Sequence, residues 1–353
     1  MRKHLFLIAL ICSIFVACGP KPELPTVTTN SVNDITDTSA FCVGAMPTKH
    51  TLALYMENDI GFSDRYYTNG IKLQYTNEGG DFWTNAIGFA VLDLFVSDSD
   101  ANRRFQSLSL GQNMYVPHSI GLVEPIENDR LYAGWLYANA ASHIVSENSL
   151  DSFAITMGIV GRHSYAGDIQ RWWHNFVDVQ MPMGWDSQVK DEFGFIVSYK
   201  HFERIWRTDF GNSWQSDAIV SGGVDLGNVI TQASTSALFR VGYCLPYTFD
   251  FNRIDYCSAS DVKFYSSEIM RAFFQIGAVA RFVAYDITLN GNAFVSGGRS
   301  VSPDWFVFEP VVGISLARGT IEMNLNLTCR TREYRTQLIN HHTYWSASVK
   351  YSF

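Results

Sequence analysis

The sequence predicts an all-β protein, an antiparallel transmembrane β-barrel of about twelve strands with short helical segments in its loops. Three observations carry this. Apolar and polar residues alternate through segment after segment of roughly ten residues, the pattern of strands with one face in lipid and the other in a polar interior. Beyond the N-terminal region no run offers the ~18 apolar residues of a membrane helix, so a membrane here is crossed by strands. The final segment, TYWSASVKYSF (343–353), puts Trp345, Ala347, Val349, Tyr351 and Phe353 on one face and Ser346, Ser348, Lys350 and Ser352 on the other.

Composition agrees. Of 353 residues 47% are hydrophobic and 14% aromatic, with only 17% charged, a balance that favours β structure. The net charge of -8 leaves no basic stripe to neutralise phosphates, which argues against a nucleic-acid partner. Local basic loops can still meet an anionic ligand.

The chain begins MRKHLFLIALICSIFVACGP, with a basic start, an apolar core at 5–16 and small residues before Gly19 and Pro20. This reads as an export signal over 1–18. Phe15-Val16-Ala17-Cys18 approximates a lipobox, which leaves lipidation of Cys18 open. Residues 19–48, rich in Pro, Thr, Ser and Asn, read as a flexible linker, and 49–353 as the barrel. Four cysteines remain beyond the signal, with no C-x-x-C pair among them. Cys244 and Cys257 flank the polar stretch LPYTFDFNRIDY, where either a loop-closing disulfide or free thiols fit.

The alternating segments are TLALYMEN (51–58), NGIKLQYT (69–76), RFQSLSLGQNMYV (104–116), GWLYANAASHIV (134–145), SFAITMGIVG (152–161) and EFGFIVSYKHF (192–202), followed by SDAIVSGGVDLG, SALFRVGYC, IMRAFFQIGAVARFVAYDITL, WFVFEPVVGISLA, TIEMNLNLTCRT and TYWSASVKYSF. The last resembles the C-terminal strand by which outer-membrane barrels are recognised for assembly. Two stretches have helical period, 82–96 and 169–177. The second sets Gln170, Trp173, His174 and Val177 on one face.

If the first strand starts on the periplasmic side, odd strands rise to the outer surface. Glu57-Asn58-Asp59, Tyr67-Thr68-Asn69-Gly70, the stretch 111–115, the stretch 129–135 and the loop helix bearing Gln170 and His174 then share the outward rim. Inward-pointing residues at one barrel mouth can meet, so the convergence suggests a site there. The connection 77–103 fits badly, being long where a short turn is expected. It reads as a plug, a surface-lying segment or a miscounted strand.

At these residues the chain resembles the outer-membrane lipid A 3'-O-deacylase family. The resemblance rests on E-N-D (57–59), D-R-Y-Y-T-N-G (64–70), G-Q-x-x-Y-x-P (111–117), D-R-x-Y-A-G-W (129–135), and Q-x-x-x-H (170–174) followed by G-W-D-x-Q (184–188). These cover the N-terminal half in order, while the C-terminal half matches only in being barrel-like. The resemblance implies a twelve-stranded barrel in the bacterial outer membrane that removes the 3'-linked acyl or acyloxyacyl unit of lipid A with the help of calcium. Its implied partners are lipid A or lipopolysaccharide and the outer-membrane lipids around a monomer. It implies His174 as base toward water, with Gln170 one turn before it, and with Asn58, Asp59 and Thr68 lining the site. Asn58 and Asp59 would hold the calcium, and Arg130 would contact a lipid A phosphate or the developing negative charge. Asp129 departs from the basic residue often found at that place in the family.

The residues read coherently without the family. Ester hydrolysis needs a base that titrates near neutrality, as histidine does, and donors or positive charge at the developing oxyanion. Calcium takes hard oxygens such as the Asp59 carboxylate and the Asn58 carbonyl. No G-x-S-x-G elbow occurs, so direct attack by water fits better than a serine nucleophile. The alternatives are an outer-membrane phospholipase and a non-catalytic porin or structural barrel. Alone, His174 beside Trp172 and Trp173 reads as a packed or interfacial histidine, and the accompanying motifs turn it toward function. Trp185 reads as a membrane-interface anchor, and Tyr66 and Tyr67 as girdle or site residues. Glu57 reads as a solvated strand end or a site residue. His341 and His342 point to opposite strand faces, against a shared ion.

Overall fold

The computed structural model describes residues 45–47, 49–79, 84–96, 102–257 and 265–353. The export signal, Cys18, Cys42 and nearly all of the linker lie outside the described residues. Twelve strands form the barrel: β1 (His50–Asn58), β2 (Tyr66–Glu78), β3 (Arg103–Val116), β4 (Ala133–Val145), β5 (Ser149–Val160), β6 (Glu192–Asp209), β7 (Trp214–Gly227), β8 (Ile230–Tyr243), β9 (Tyr265–Asp286), β10 (Phe306–Gly319), β11 (Ile321–Thr331) and β12 (His341–Ser352). Each is antiparallel to its sequence neighbours, and β12 closes on β1, from Trp345 opposite Asn58 to Ser352 opposite Thr51. A short strand, Ala45–Pro47, pairs with the start of β9. Closure leaves the barrel wall no free edge, as lipid requires of a spanning sheet.

The pleat sorts side chains by solvent. In β10 Phe308, Val312, Ile314 and Leu316 are exposed, while Val307, Glu309, Val311 and Ser315 are buried. In β12 Ser346, Ser348 and Lys350 are buried, and the Trp345, Ala347, Val349, Tyr351 row faces out. Apolar outside and polar inside is the arrangement of a chain whose solvent is a bilayer.

The interior is filled by the segment after β8, at the end from which β9 starts. Phe249 and Phe251 pack among Phe105, Phe202, Ile219, Leu238, Val279 and Val311. Polar lumenal side chains then hold the segment's main chain. Lys72 Nζ donates to the Asp255 carbonyl (3.1 Å), Asn139 Nδ2 to that of Tyr256 (3.1 Å), and Asn326 Nδ2 to that of Phe251 (2.7 Å). Lys200 Nζ donates to Asp255 Oδ2 at 2.6 Å, and Glu57 Oε1 accepts from Ile254 N at 3.0 Å. These partners come from β1, β2, β4, β6 and β11, so the segment crosses the lumen. At its centre Glu309 accepts from Arg253, Arg281 and Arg330. A buried carboxylate among three guanidiniums is fully compensated.

Cys244 and Cys257 do not bond to each other. The Cys257 thiol is free and buried, its Sγ donating to the Ser152 carbonyl at 3.8 Å. Cys244 is disulfide-bonded, but not to Cys257.

The helix α1 (Thr84–Leu92) explains most of the long connection after β2. It is not a plug. Gly88 rests on Ser142 of β4, where an added Cβ would lie 2.2 Å from Oγ. Ser142 is on the outward face, since Asn139 of the same strand reaches the lumenal segment. Phe95 just beyond α1 packs on Tyr199 of β6 at 5.2 Å, and Ile87, Leu94 and Phe95 are exposed. The connection therefore lies on the outer wall and leaves the strand count intact.

A lumen filled in this way bears on the porin alternative. Planar-bilayer recordings of the purified protein are expected to show no stepwise ion conductance; a steady open channel would mean that 244–257 does not occupy the lumen in a membrane.

Candidate functional site

The site starts from a bulge in β2. The register with β3 shifts between Tyr67 and Asn69, and a bulge re-aims the side chains on either side of it. Tyr67 points into the barrel, its hydroxyl donating to Glu57 Oε2 at 2.7 Å. Glu57 is thus a lumenal strut, also accepting from Ser346 Oγ at 2.9 Å, and not a solvated strand end. Tyr66 and Tyr67 are buried and belong to no surface girdle. Thr68, next along the strand, faces the other way.

Its hydroxyl lies 3.0 Å from Asp59 Oδ1 and 3.1 Å from Asp64 Oδ1, so one proton is shared between two carboxylates. Asp59 is buried at the foot of the β1–β2 loop, where Oδ2 accepts from Ser63 Oγ (2.6 Å) and the Arg65 peptide N–H (3.0 Å). Burial pushes its carboxyl up to about 7, against these hydrogen bonds. Asp64 is also raised by burial, with the nearby His174 pulling it back.

The histidine comes from α2 (Ala166–Val177). The helix packs on the outside of the wall: Gln112 Nε2 of β3 donates to the Ser164 carbonyl at 2.6 Å, and a Cβ on Gly134 of β4 would lie 2.4 Å from Ala166 Cβ. Gln112 shares its strand face with the exposed Leu108 and Leu110. The helix is inverted relative to a water-soluble one. Gln170 and His174 are buried against the wall, while Ile169, Trp172 and Phe176 are exposed. An apolar outward face suits a helix bathed in lipid.

Past α2 the chain turns at Asp178, in the left-handed conformation with φ 57, and its peptide N–H bonds the His174 carbonyl. That turn brings the Gln180 carbonyl within 2.6 Å of His174 Nδ1. A carbonyl only accepts, so Nδ1 carries the proton and Nε2 presents its lone pair. Nε2 lies 3.5 Å from Asp64 Oδ2. Two acceptors at that distance need a donor between them, such as a water, or a proton on one of them.

Gln170 links this pair to the protein body. Trp185 Nε1, a donor only, binds Gln170 Oε1 at 2.7 Å, which leaves Gln170 Nε2 toward Asp64 Oδ1 at 3.4 Å. Trp185 is fully buried on Tyr132, ring centroids 4.8 Å apart, and is a strut rather than an interface anchor. Asp59, Thr68, Gln170 and His174 therefore converge, as the sequence suggests. They do so between the outer wall and α2, not at the lumenal mouth, because the bulge turns Thr68 outward.

Two foreseen residues stand elsewhere. Asn58 Oδ1 accepts from the Ile60 peptide at 2.7 Å and caps the turn. The Arg130 side chain is 0% exposed; it donates to Glu333 Oε2 (3.0 Å) and Thr288 Oγ1 (2.6 Å), and its guanidinium lies over the Tyr115 ring. Burial disfavours the Glu333 charge, yet Arg330 and Arg130 outweigh it and hold that carboxyl below its ordinary value. As placed, Arg130 is an interior ion pair and offers no surface for a phosphate. His341 is exposed and His342 buried, on opposite faces as expected.

With this geometry in place, the family model described as outer membrane protein LpxR matches residues 25–353. The chain belongs to the LpxR outer-membrane protein family. It is accordingly a protein of the bacterial outer membrane. LpxR from Salmonella typhimurium has the same fold, with a TM-score of 0.70 at 17% identity over 86% of this chain and 100% of that one. The beta domain of the Bordetella autotransporter BrkA scores 0.40 at 11% identity, covering 87% of this chain and 99% of its own. The translocator domain of NalP from Neisseria meningitidis scores 0.38 at 8% identity, covering 90% and 92%. A search of curated protein sequences finds no match.

Within this member of the LpxR family, sequence reasoning passed over Asp64, Gln180 and the strut role of Trp185. Asp64 and Trp185 stand inside the motifs that carry the resemblance, so a signal existed. Gln180 acts through its main chain, which no side-chain pattern reveals.

Removing the strut should loosen α2 specifically. Trp185→Phe leaves Gln170 Oε1 buried without a donor, at a cost of about 1–3 kcal/mol. Gly167→Ala places a Cβ 2.9 Å from the Trp185 ring and displaces it. Both variants are expected to speed amide hydrogen exchange across Ala166–Val177 while the strands exchange as before.

Proposed function

We propose that the protein hydrolyses the 3'-linked acyl or acyloxyacyl ester of lipid A in the outer leaflet. Membership of the LpxR family supports an outer-membrane, lipid A-modifying function. The observation that carries the finer reading is His174, its Nε2 lone pair held beside Asp64 under a helix whose outward face is apolar.

In this mechanism a water bridging His174 Nε2 and Asp64 is the nucleophile. Nε2 takes its proton as the oxygen attacks the ester carbonyl, and Asp64 stabilises the imidazolium so formed. Gln170, held by Trp185, keeps Asp64 in place. When the tetrahedral intermediate collapses, the acyl C–O bond breaks and the imidazolium returns the proton to the departing sugar oxygen. The exposed Ile169, Trp172 and Phe176 on α2 provide an apolar bed for the acyl chain beside the site.

The donor set suits calcium. Asp59 and Asp64 share one hydroxyl proton from Thr68, and burial, with Asp64 beside it, holds the Asp59 carboxyl above its ordinary range. Hard carboxylate and hydroxyl oxygens are what calcium selects. Among the described residues no group of three His, Cys, Asp or Glu side chains is placed to hold one ion, so carbonyls and waters would complete the shell. Asn58, its side chain tied to Ile60, would take part through its main-chain carbonyl. The bound ion supplies positive charge for the developing oxyanion.

His174→Ala is expected to lower acyl release from lipid A by about 100-fold or more, read by mass spectrometry of the lipid, with the heat-modifiable mobility of the barrel unchanged. Full activity in that variant would remove His174 as the base, and cleavage of glycerophospholipid instead would make the protein a phospholipase.

Protonation of Asp59 sets the pH dependence. Its folded-state pKa is raised, so its contribution to stability is complete below about 4 and is lost as pH rises through about 7. Calcium binds the ionised form. Calorimetric titration is expected to show binding at least about tenfold tighter at pH 8 than at pH 5.5, and an affinity independent of pH would exclude Asp59 as a ligand.

A further inference from the structure

We propose that Arg65 is the anion-binding residue of this site and takes a phosphate monoester of the lipid headgroup. The proposal rests on the lipid A reading. Arg65 lies between Asp64 and Tyr66, and its peptide N–H is already bound to Asp59 Oδ2. Its side chain is half-buried, and Nε is enclosed without a hydrogen-bond partner. The guanidinium carbon stands 5.9 Å from the Tyr66 ring centroid.

What sets this arginine apart is that its carboxylate neighbours are otherwise engaged. The Asp59 oxygens serve Ser63, Thr68 and the Arg65 main chain. Those of Asp64 face Thr68, Gln170 and His174. Among the described residues Arg65 forms no ion pair, unlike Arg130, which is spent on Glu333. A guanidinium offers Nε and a terminal nitrogen as a planar fork, the geometry that grips two oxygens of one phosphate. A phosphate there would satisfy the enclosed Nε–H and set the headgroup beside the loop that carries Asp59 and Asp64. Arg65 would thus select for substrate charge, acting as a binding residue and not in the proton transfers.

The test uses the full-length protein in detergent micelles, with Arg65→Gln and Arg65→Lys, against bisphosphorylated lipid A, monophosphoryl lipid A and inorganic phosphate. Affinity is read by thermophoresis and hydrolysis by mass spectrometry, and heat-modifiable mobility confirms folding. Arg65→Gln is expected to weaken binding of bisphosphorylated lipid A about tenfold or more. It should raise KM with kcat little changed, and abolish the preference for bisphosphorylated over monophosphoryl lipid A. Arg65→Lys, which keeps the charge without the fork, should recover part of the loss. Equal effects on both lipids, no effect, or binding of inorganic phosphate that is unrelated to lipid charge would overturn the assignment. Charge-dependent binding that needs Arg65, in a parent protein that hydrolyses neither lipid, would support the anion site and sink the deacylase reading.

Discussion

The closed wall of this protein, on which the rest is built, follows from one constraint: in lipid, backbone N–H and C=O groups must find partners within the protein. The closing contact of β12 on β1 meets that demand for the whole wall. Once closed, the pleat has no freedom left, and each strand must send apolar side chains outward and polar ones inward. Ser346, Ser348 and Lys350 are buried for this reason, although on a water-soluble sheet they would be the solvent face. A polar interior then needs its own partners. The segment after β8 supplies them, as main-chain carbonyls for Lys72, Asn139 and Asn326 and as Arg253 for Glu309.

The filled lumen moves the chemistry outward. With the interior occupied, polar side chains near the bilayer are sheltered between the wall and a covering helix, and α2 is that helix. Its inverted amphipathicity shelters Gln170 and His174 while presenting Trp172 and Phe176 to lipid. The bulge at Tyr67 completes the arrangement by giving one strand residue to the lumen and the next to the site. Small deviations from regularity thus set which side of a wall each residue serves. The site is electrostatically lean, with two carboxylates around one hydroxyl and a histidine whose tautomer is set by a carbonyl.

Much of the fold was legible because alternation is a local property. The segment 104–116 and β3 agree within a residue, and TYWSASVKYSF sorts its faces as read. Asp59, Thr68, Gln170 and His174 were legible as a group from their motifs. The failures are of another kind. Trp185 reads as an interface anchor because indoles favour that depth, and only packing on Tyr132 and the bond to Gln170 make it a strut. Arg130 reads, through the family resemblance, as a contact for a lipid A phosphate or the developing negative charge, and the structure instead buries it in an ion pair. Glu333, with which it pairs, stands 203 positions along the chain.

The sequence by itself determined the class of fold, the sorting of strand faces and the residue types that meet at the site, because periodicity and side-chain chemistry are written locally. Only the tertiary structure decided that 244–257 crosses the lumen, that Cys244 and Cys257 stay apart, that α1 lies on the outer wall and that the site residues meet between the wall and α2. Those outcomes depend on contacts between distant segments and on a one-residue register shift. Neither leaves a trace in the local pattern of apolar and polar residues.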